Sequence, residues 1–289
     1  MITEIIKFKA CDGIKLDGFI NKCEKPTNKL LISVHGMTSN CFKDRDKVIS
    51  HELQELNIDT LCFNNRGSDI VRYIKNDEES FLGGTAYEDV QDGYFDIVGA
   101  IKIAINLGYN EIYLQGHSLG CTKVVYTYNK LLKENSELIS YIKGIILLSL
   151  CDIPESIKYD TSEEFIKYAE EKEKSGKILD LMPEKAFVHP ISVKTFLRYV
   201  KYNKDIDFAR FSDEKDEFKV LNKINIPLFM RWGNVNEFIM QEADKLVEFM
   251  NRKITNNLKD INYIDGADHS YSEKEEILAE QIKQFIRSE

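Results

Sequence analysis

The pentapeptide Gly116-His117-Ser118-Leu119-Gly120 decides the fold of this chain. An apolar run at 112–114 precedes it and a helix-like run at 121–126 follows it, so the local order is strand, tight turn, helix. A turn this sharp needs residues without bulky side chains on either side of the serine, and glycines stand at both places. The pattern predicts that the Ser118 hydroxyl is exposed at the apex of the turn; an ordinary glycine turn is the alternative.

Continuous apolar runs recur along the chain and predict strands that are buried on both faces. Such strands belong to a parallel sheet covered by helices. The fold class is therefore α/β, with a mostly parallel central sheet flanked by helices. The predicted strands are an N-terminal hairpin of 4–9 and 15–21, then 30–34, 60–63, 112–114, 145–150, 227–230 and 260–264. The clearest helical patterns cover 86–107 and 273–286.

The alternation of strands and helices breaks in a polar, aromatic-rich stretch at 152–220. We expect a core domain of 1–151 and 221–289, with 152–220 as a helical cap inserted above the sheet. Two interpretations are open: a lid that shapes a substrate pocket, or an extra helical layer packed by its aromatic side chains. These aromatic residues are Phe165, Tyr168, Phe187, Phe196, Tyr199, Tyr202, Phe208 and Phe211.

Composition and charge exclude several classes of partner. The net charge is −9 and no basic cluster is present, so nucleic acid is not an expected partner. The six cysteines lie far apart without a C-x-x-C pair, which favours free thiols in a reducing compartment and gives no zinc spacing. We see no signal peptide and no apolar run long enough to span a membrane, so we expect a cytoplasmic protein. The sequence does not indicate the oligomeric state.

Three aspartates at helical spacing, Asp89, Asp92 and Asp96, resemble a metal site only superficially. No histidine or other ligand converges on them in the sequence. We interpret them as the solvated face of the predicted helix.

A serine nucleophile needs a base in hydrogen-bond contact, and the base needs an orienting partner. His269 is the best candidate base because it follows the last predicted strand. Loops at the carboxyl ends of parallel strands lie at one sheet edge, where the Ser118 turn also lies. His117 lies inside the turn and is expected to point away from the nucleophile. Of the other histidines, His35 is expected to shape a loop, His51 to lie on a surface helix, and His189 to lie in the insertion.

Together these motifs resemble the α/β-hydrolase superfamily. The matching features are His35-Gly36 after the third strand, Asn65-Arg66-Gly67 after the fourth, the serine turn, and Gly266-Ala267-Asp268-His269 near the end. They cover most of the chain, and the order nucleophile, acid, histidine also matches. From Gly84 through the turn, the chain is similar to a bacterial branch of esterase-like serine hydrolases. The resemblance implies an α/β-hydrolase fold, in which the stretch at 152–220 would be the helical cap insertion expected above.

One position departs from the pattern of the family, which places the acid as an aspartate three residues after the glycine that follows the strand. Here that place holds Asn236, and an amide cannot carry the charge that stabilises an imidazolium. We hypothesise that the adjacent, longer Glu237 is the acid. Asp152, just beyond the strand ending at 150, is the alternative acid. An aspartate at 265 or 268, close to the histidine in sequence, and a dyad without an acid also stay open.

Two backbone amides are the candidate oxyanion donors. The Leu119 N–H follows the nucleophile at a helix start, and the Met37 N–H lies in the loop after His35, where Gly36 permits close approach. A turn that simply ends the strand is the alternative for this loop. Arg66 is expected to brace loops, with binding of a substrate carboxylate as its alternative.

The resulting function hypothesis is a serine esterase that cleaves a small-molecule carboxylic ester or thioester through Ser118, His269 and Glu237. It needs no metal and no organic cofactor. An acyltransferase or amidase could use the same residues, because the fold hosts several chemistries. A non-catalytic binding protein on a hydrolase scaffold is a further alternative, which Asn236 keeps open.

Overall fold

A mixed β-sheet forms the centre of the computed structural model, which describes residues 1–201, 203–239 and 241–288, without the side chains of 157–160. The strands in chain order are β1 Ile2–Lys9, β2 Lys15–Lys22, β3 Lys29–Val34, β4 Asp59–Asn64, β5 Arg72–Lys75, β6 Ser80–Gly83, β7 Glu111–His117, β8 Ile142–Leu148, β9 Leu228–Trp232 and β10 Lys259–Tyr263. Eight of the strands described form the central sheet, in the order β1-β2-β4-β3-β7-β8-β9-β10. The predicted α/β class is confirmed.

The sheet is parallel from β4 to β10, and β1 and β2 join its edge in antiparallel pairing. The central strands β4 and β7 are almost entirely buried, which matches their continuous apolar sequences. Strands β5 and β6 form a separate two-stranded hairpin. No apolar run in the sequence predicts this hairpin, because its strands are short and half-exposed.

Helices cover both faces of the sheet. They are α1 Asp44–Glu52, α2 Gly93–Asn106, α3 Leu119–Lys133, α4 Ile153–Asp160, α5 Glu163–Lys174, α6 Val193–Val200, α7 Ala243–Lys253 and α8 Glu275–Arg287. Apolar residues of α2, α3 and α7 pack into one core beside the sheet, and those of α1 and α8 pack into a second. No helix within the described ranges is both long and apolar enough to cross a membrane.

The predicted helix at 86–107 is wrong in its start and, for Asp89 and Asp96, in its supposed solvated face, whereas the Asp92 side chain is 39% exposed. A short 3-10 turn covers Val90–Asp92 and the α-helix begins only at Gly93. Asp96 is fully buried and accepts hydrogen bonds from the Arg66 side chain at 2.8 and 3.0 Å. Asp89 accepts one from Arg198 at 2.7 Å. Arginines distant in sequence therefore neutralise aspartates that the periodicity alone assigned to water.

The segment between β8 and β9 carries α4, α5 and α6. Its apolar residues form a cluster of their own, which also contains Leu119 from the first turn of α3. The segment therefore packs directly above the serine turn. Phe208 and Phe211 join the main core instead. Tyr202 lies outside the described residues.

Candidate active site

The serine turn connects β7 to α3 with strained backbone. Ser118 has φ 54° and ψ −126°, a region that non-glycine residues rarely occupy. Two glycines permit this geometry by close approach. A Cβ atom on Gly120 would lie 2.1 Å from the carbonyl oxygen of Val34, and one on Gly36 would lie 2.8 Å from Ser118 Cβ. The backbone therefore holds the serine at the apex of a tightly packed turn.

Ser118 and His269 line the same cavity, which has a volume of about 520 Å³. The Ser118 hydroxyl lies 3.8 Å from the Cys151 thiol. Burial, with the charge of Glu237 second, raises the pKa of Cys151 to about 12. The thiol therefore stays protonated at neutral pH and is a weak nucleophile, because the reactive form is the thiolate.

Glu237 lies directly against the histidine. Its Oε1 hydrogen-bonds to His269 Nδ1, and its Oε2 accepts hydrogen bonds from the Gly233 N–H at 3.0 Å and the Ser149 hydroxyl at 2.7 Å. The side chain is only 2% exposed. Burial alone would raise the pKa of Glu237, but the hydrogen bond and charge of His269, with the Gly233 and Ser149 donors, lower it. The carboxylate is therefore ionised beside the imidazole.

The backbone explains why the acid is displaced by one position. Asn236 is exposed and has φ 49°, in the left-handed region that asparagine tolerates well. The loop is also tied to the histidine loop, because the N–H groups of Asn234 and Val235 both donate to the Ala267 carbonyl. This turn directs residue 236 to solvent and residue 237 to His269.

The other candidate acids have different partners. Asp152 accepts hydrogen bonds from the backbone N–H of Glu155 and from the N–H and hydroxyl of Ser212, at 3.1–3.2 Å. Asp265 accepts a hydrogen bond from the side chain of Asn234. Asp268 accepts backbone N–H groups of its own turn, from residues 270 and 272. The structure thus brings Glu237, and none of these aspartates, to the His269 ring within the part of the chain it describes.

His117 packs against the candidate base, His269, and hydrogen-bonds to its backbone. Its Nε2 donates to the His269 carbonyl oxygen at 2.7 Å, and the two ring centroids are 4.9 Å apart. Burial lowers the pKa of His117 well below that of a free histidine, so the ring is neutral. Sequence reasoning missed Ser149 and Tyr271, whose hydroxyls lie 3.0 Å apart beside the acid. They lie far from Glu237 along the chain, and no motif marks them.

The residues that carry the candidate oxyanion donors line the same cavity. Neither the Met37 N–H nor the Leu119 N–H has an acceptor among the described residues, and both residues line the cavity. The neighbouring Thr38 has φ 51°, and its N–H donates to the Thr85 hydroxyl at 2.7 Å. That hydroxyl donates in turn to the Gly67 carbonyl at 2.9 Å. A buried threonine therefore fixes the loop that presents Met37.

A buried polar network supports this loop from below. The His35 ring accepts the Asn65 N–H at 3.2 Å, and the Asn65 amide donates to the His35 carbonyl at 3.3 Å. Lys123 Nζ donates to Asn65 Oδ1 at 3.1 Å and to Glu88 Oε2 at 2.6 Å. The Lys123 and Glu88 side chains are fully buried. Burial, more than the nearby Lys123 charge, lowers the pKa of His35 to about 3, so this histidine is a neutral loop brace.

The segment above the sheet supplies one wall of the cavity. Phe187 and Tyr199 stack with ring centroids 5.8 Å apart, and both line the cavity with Ile153. Phe238, from the loop after β9, lines it too and contacts the His269 ring edge-on at 4.6 Å. Arg66, by contrast, does not line this cavity and binds Asp12 and Asp96. It braces loops, as one of its two interpretations expected.

The fold is that of the α/β-hydrolases, so the resemblance found in the sequence is confirmed at the level of the fold. The chain is similar to Est1E from Butyrivibrio proteoclasticus with bound ferulic acid, at TM-score 0.66 and 19% identity, covering 97% of this chain and 98% of that one. It is similar to the alpha/beta hydrolase GrgF from Penicillium sp. sh18, at TM-score 0.66 and 14% identity, covering 99% of both chains.

A third similar structure is a soluble variant of monoglyceride lipase from Saccharomyces cerevisiae in complex with a substrate analog. Its TM-score is 0.65 and its identity 12%, with coverage of 100% of this chain and 95% of that one. No protein-family model matches the chain, and comparison with curated proteins finds none of similar sequence. At these identities the structural neighbours show the fold alone, because one fold hosts many functions.

Proposed function

We propose that the protein is a serine hydrolase that cleaves a carboxylic ester, or a thioester, through Ser118, His269 and Glu237. The observation that carries the proposal is the buried Glu237 carboxylate on His269 Nδ1, in the cavity that also holds Ser118. The solved structures of this fold include the Pyrococcus furiosus esterase PF2001 and the monoglyceride lipase, which supports the same chemistry for this chain. Asn236 no longer favours a non-catalytic binding protein, because the next residue supplies the carboxylate.

In the proposed mechanism, His269 accepts the Ser118 proton as the serine oxygen attacks the carbonyl carbon. The ionised Glu237 stabilises the imidazolium that forms. The N–H groups of Leu119 and Met37 stabilise the oxyanion, and loss of one such donor typically costs about 3 kcal/mol of transition-state stabilisation. His269 then protonates the leaving alcohol or thiol. A water molecule repeats the sequence to release the acid from the acyl-enzyme.

We also propose that residues 152–220 are a cap on a core domain of 1–151 and 221–289. The separate apolar cluster of the segment supports this division, as do Phe187 and Tyr199 in the cavity wall. In this proposal the segment is both a packed helical layer and the roof of the substrate pocket. The six cysteines have no disulfide partner, which supports the proposed reducing, cytoplasmic location.

The direct test is covalent labelling with a fluorophosphonate probe, which reacts with activated serine nucleophiles. We expect one adduct on the wild-type protein, located at Ser118 by peptide mass spectrometry. Ser118→Ala should remove the adduct, and Ser156→Ala, a change to another serine in the cavity wall, should keep it. An unlabelled wild-type protein, or equal labelling of Ser118→Ala, would refute the proposal.

A further prediction concerns the loop that presents Met37. Thr85→Val removes the hydroxyl that accepts the Thr38 N–H and keeps the size of the side chain. We expect kcat for a 4-nitrophenyl ester to fall by about tenfold, since a misplaced donor loses part of its contribution, with KM little changed. Steady-state kinetics measure both constants. A rise in KM with unchanged kcat would show that Thr85 does not position an oxyanion donor.

A further inference from the structure

Arg45 is an unusual residue in the wall of the proposed substrate cavity. It is the second residue of α1, its side chain is only 4% exposed, and it lines the same cavity as Ser118 and His269. Arginine is rarely buried this deeply unless it is paired with a carboxylate or a ligand. The partners of its guanidinium group therefore indicate whether it is structural.

The protein leaves most of this guanidinium unused. Its single contact with a carboxylate among the described residues is from Nη2 to Asp46 Oδ2, at a long 3.3 Å. The Nε atom is buried and has no hydrogen-bond partner in the same part of the chain. Asp46 is itself shared, because its Oδ1 accepts hydrogen bonds from Ser33 and Gln115. An arginine has five N–H donors, and the contact with Asp46 uses one of them, so most donors of this cavity-lining side chain have no partner among the described residues.

Other charged residues also line the cavity, and their charges either add to the positive charge of Arg45 or oppose it. Lys43 also lines the cavity, and no carboxylate within the described ranges pairs with it. The first turn of α1 adds the partial positive charge of a helix N-terminus. Asp44 and Glu275 line the cavity as well. They are exposed and half-buried respectively, so water screens their charges more than that of the buried Arg45.

We propose that Arg45, assisted by Lys43, binds a carboxylate on the substrate, so that the enzyme prefers acidic esters over neutral ones. This inference rests on the proposed function and specifies its substrate class. A planar guanidinium binds a carboxylate through two parallel hydrogen bonds, which would satisfy two of the unused donors. The uncharged part of the ester would lie against the apolar wall of Phe187 and Tyr199.

Two matched pairs of substrates test the preference. One pair carries the charge on the acyl side: 4-nitrophenyl hydrogen glutarate and its methyl ester. The other pair carries it on the alcohol side: 4-carboxyphenyl butyrate and its methyl ester. For the wild-type protein we expect a higher kcat/KM for the acid in at least one pair. Arg45→Met should lower that kcat/KM about 10- to 100-fold and change the value for the methyl ester by about threefold or less.

Two further variants separate recognition from structural effects. Lys47→Met removes an exposed charge of the same helix outside the cavity wall and should leave both substrates unaffected. Arg45→Lys keeps the charge and should retain part of the preference, which provides a test if Arg45→Met does not fold. Equal loss for acid and methyl ester, or no wild-type preference in either pair, would overturn the inference. Hydrolysis of no ester, together with no fluorophosphonate adduct, would instead refute the proposed function.

Discussion

Glu237→Gln is expected to lower kcat for ester hydrolysis about 10⁴-fold, while the protein stays folded and the cavity keeps its shape. The glutamine is isosteric but neutral, so it cannot stabilise the imidazolium that His269 becomes during acylation. Because Glu237 also accepts hydrogen bonds from Gly233 and Ser149, the amide would have to rotate to suit either these donors or the histidine. Steady-state kinetics with a 4-nitrophenyl ester measure the loss of kcat, and circular dichroism checks the fold.

Asp152→Asn is the matched control, since it removes the alternative carboxylate. It should change kcat less than about tenfold, because Asp152 is bonded to Ser212 and the start of α4 and affects catalysis only through structure. An intact kcat in Glu237→Gln would show that Glu237 is not the acid. A loss confined to Asp152→Asn would transfer the role to that residue.

The candidate triad shows how far the sequence could lead. The serine turn and His269 follow from short motifs beside predicted strands, and the structure places both in one cavity. Glu237 could be chosen over Asn236 by charge alone. Residue 237 points to His269 because Asn236 has a left-handed conformation and because two backbone N–H groups of the loop donate hydrogen bonds to the Ala267 carbonyl. The spacing of residues in the sequence does not predict either feature.

Contacts between residues that are distant in sequence could not be predicted from local patterns. Asp96 fits a solvated helix face by periodicity, yet Arg66, from the loop after β4, buries and neutralises it. Ser149 reaches Glu237 because β8 and β9 are neighbours in the sheet. In each case the partner lies at least 30 residues away in sequence, so a local pattern in the chain contains no sign of it.

The second large effect is expected in stability, from the buried ion pair below the serine turn. Lys123→Met should lower the free energy of unfolding by about 3–5 kcal/mol at neutral pH, because it leaves the fully buried Glu88 carboxylate unpaired. One oxygen of Glu88 already has no hydrogen-bond partner in the described part of the chain. Urea unfolding measures the loss as a lower midpoint with an unchanged m value.

The loss should depend on pH in a direction fixed by Glu88. Burial raises the pKa of Glu88 above its ordinary value of 4.5, and Lys123 opposes this rise. Without the lysine, the Glu88 carboxyl group keeps its proton to higher pH in the folded state than in the unfolded state. The deficit should therefore be smallest below about pH 4.5 and grow as the pH rises towards the folded-state pKa. A deficit that grows on acidification would contradict this origin.

Two controls separate the effect of the ion pair on stability from its effect on catalysis through the loop that presents Met37. Lys133→Met, a change to an exposed residue of the same helix, should cost about 0.5 kcal/mol or less. The double variant Glu88→Gln with Lys123→Met removes both charges of this pair and should recover most of the stability. It should not recover kcat fully, because Asn65 still lacks the Lys123 hydrogen bond that holds it against the His35 loop. Recovery of stability without activity would assign this network to positioning the loop that presents Met37, whereas recovery of both would assign it to folding alone.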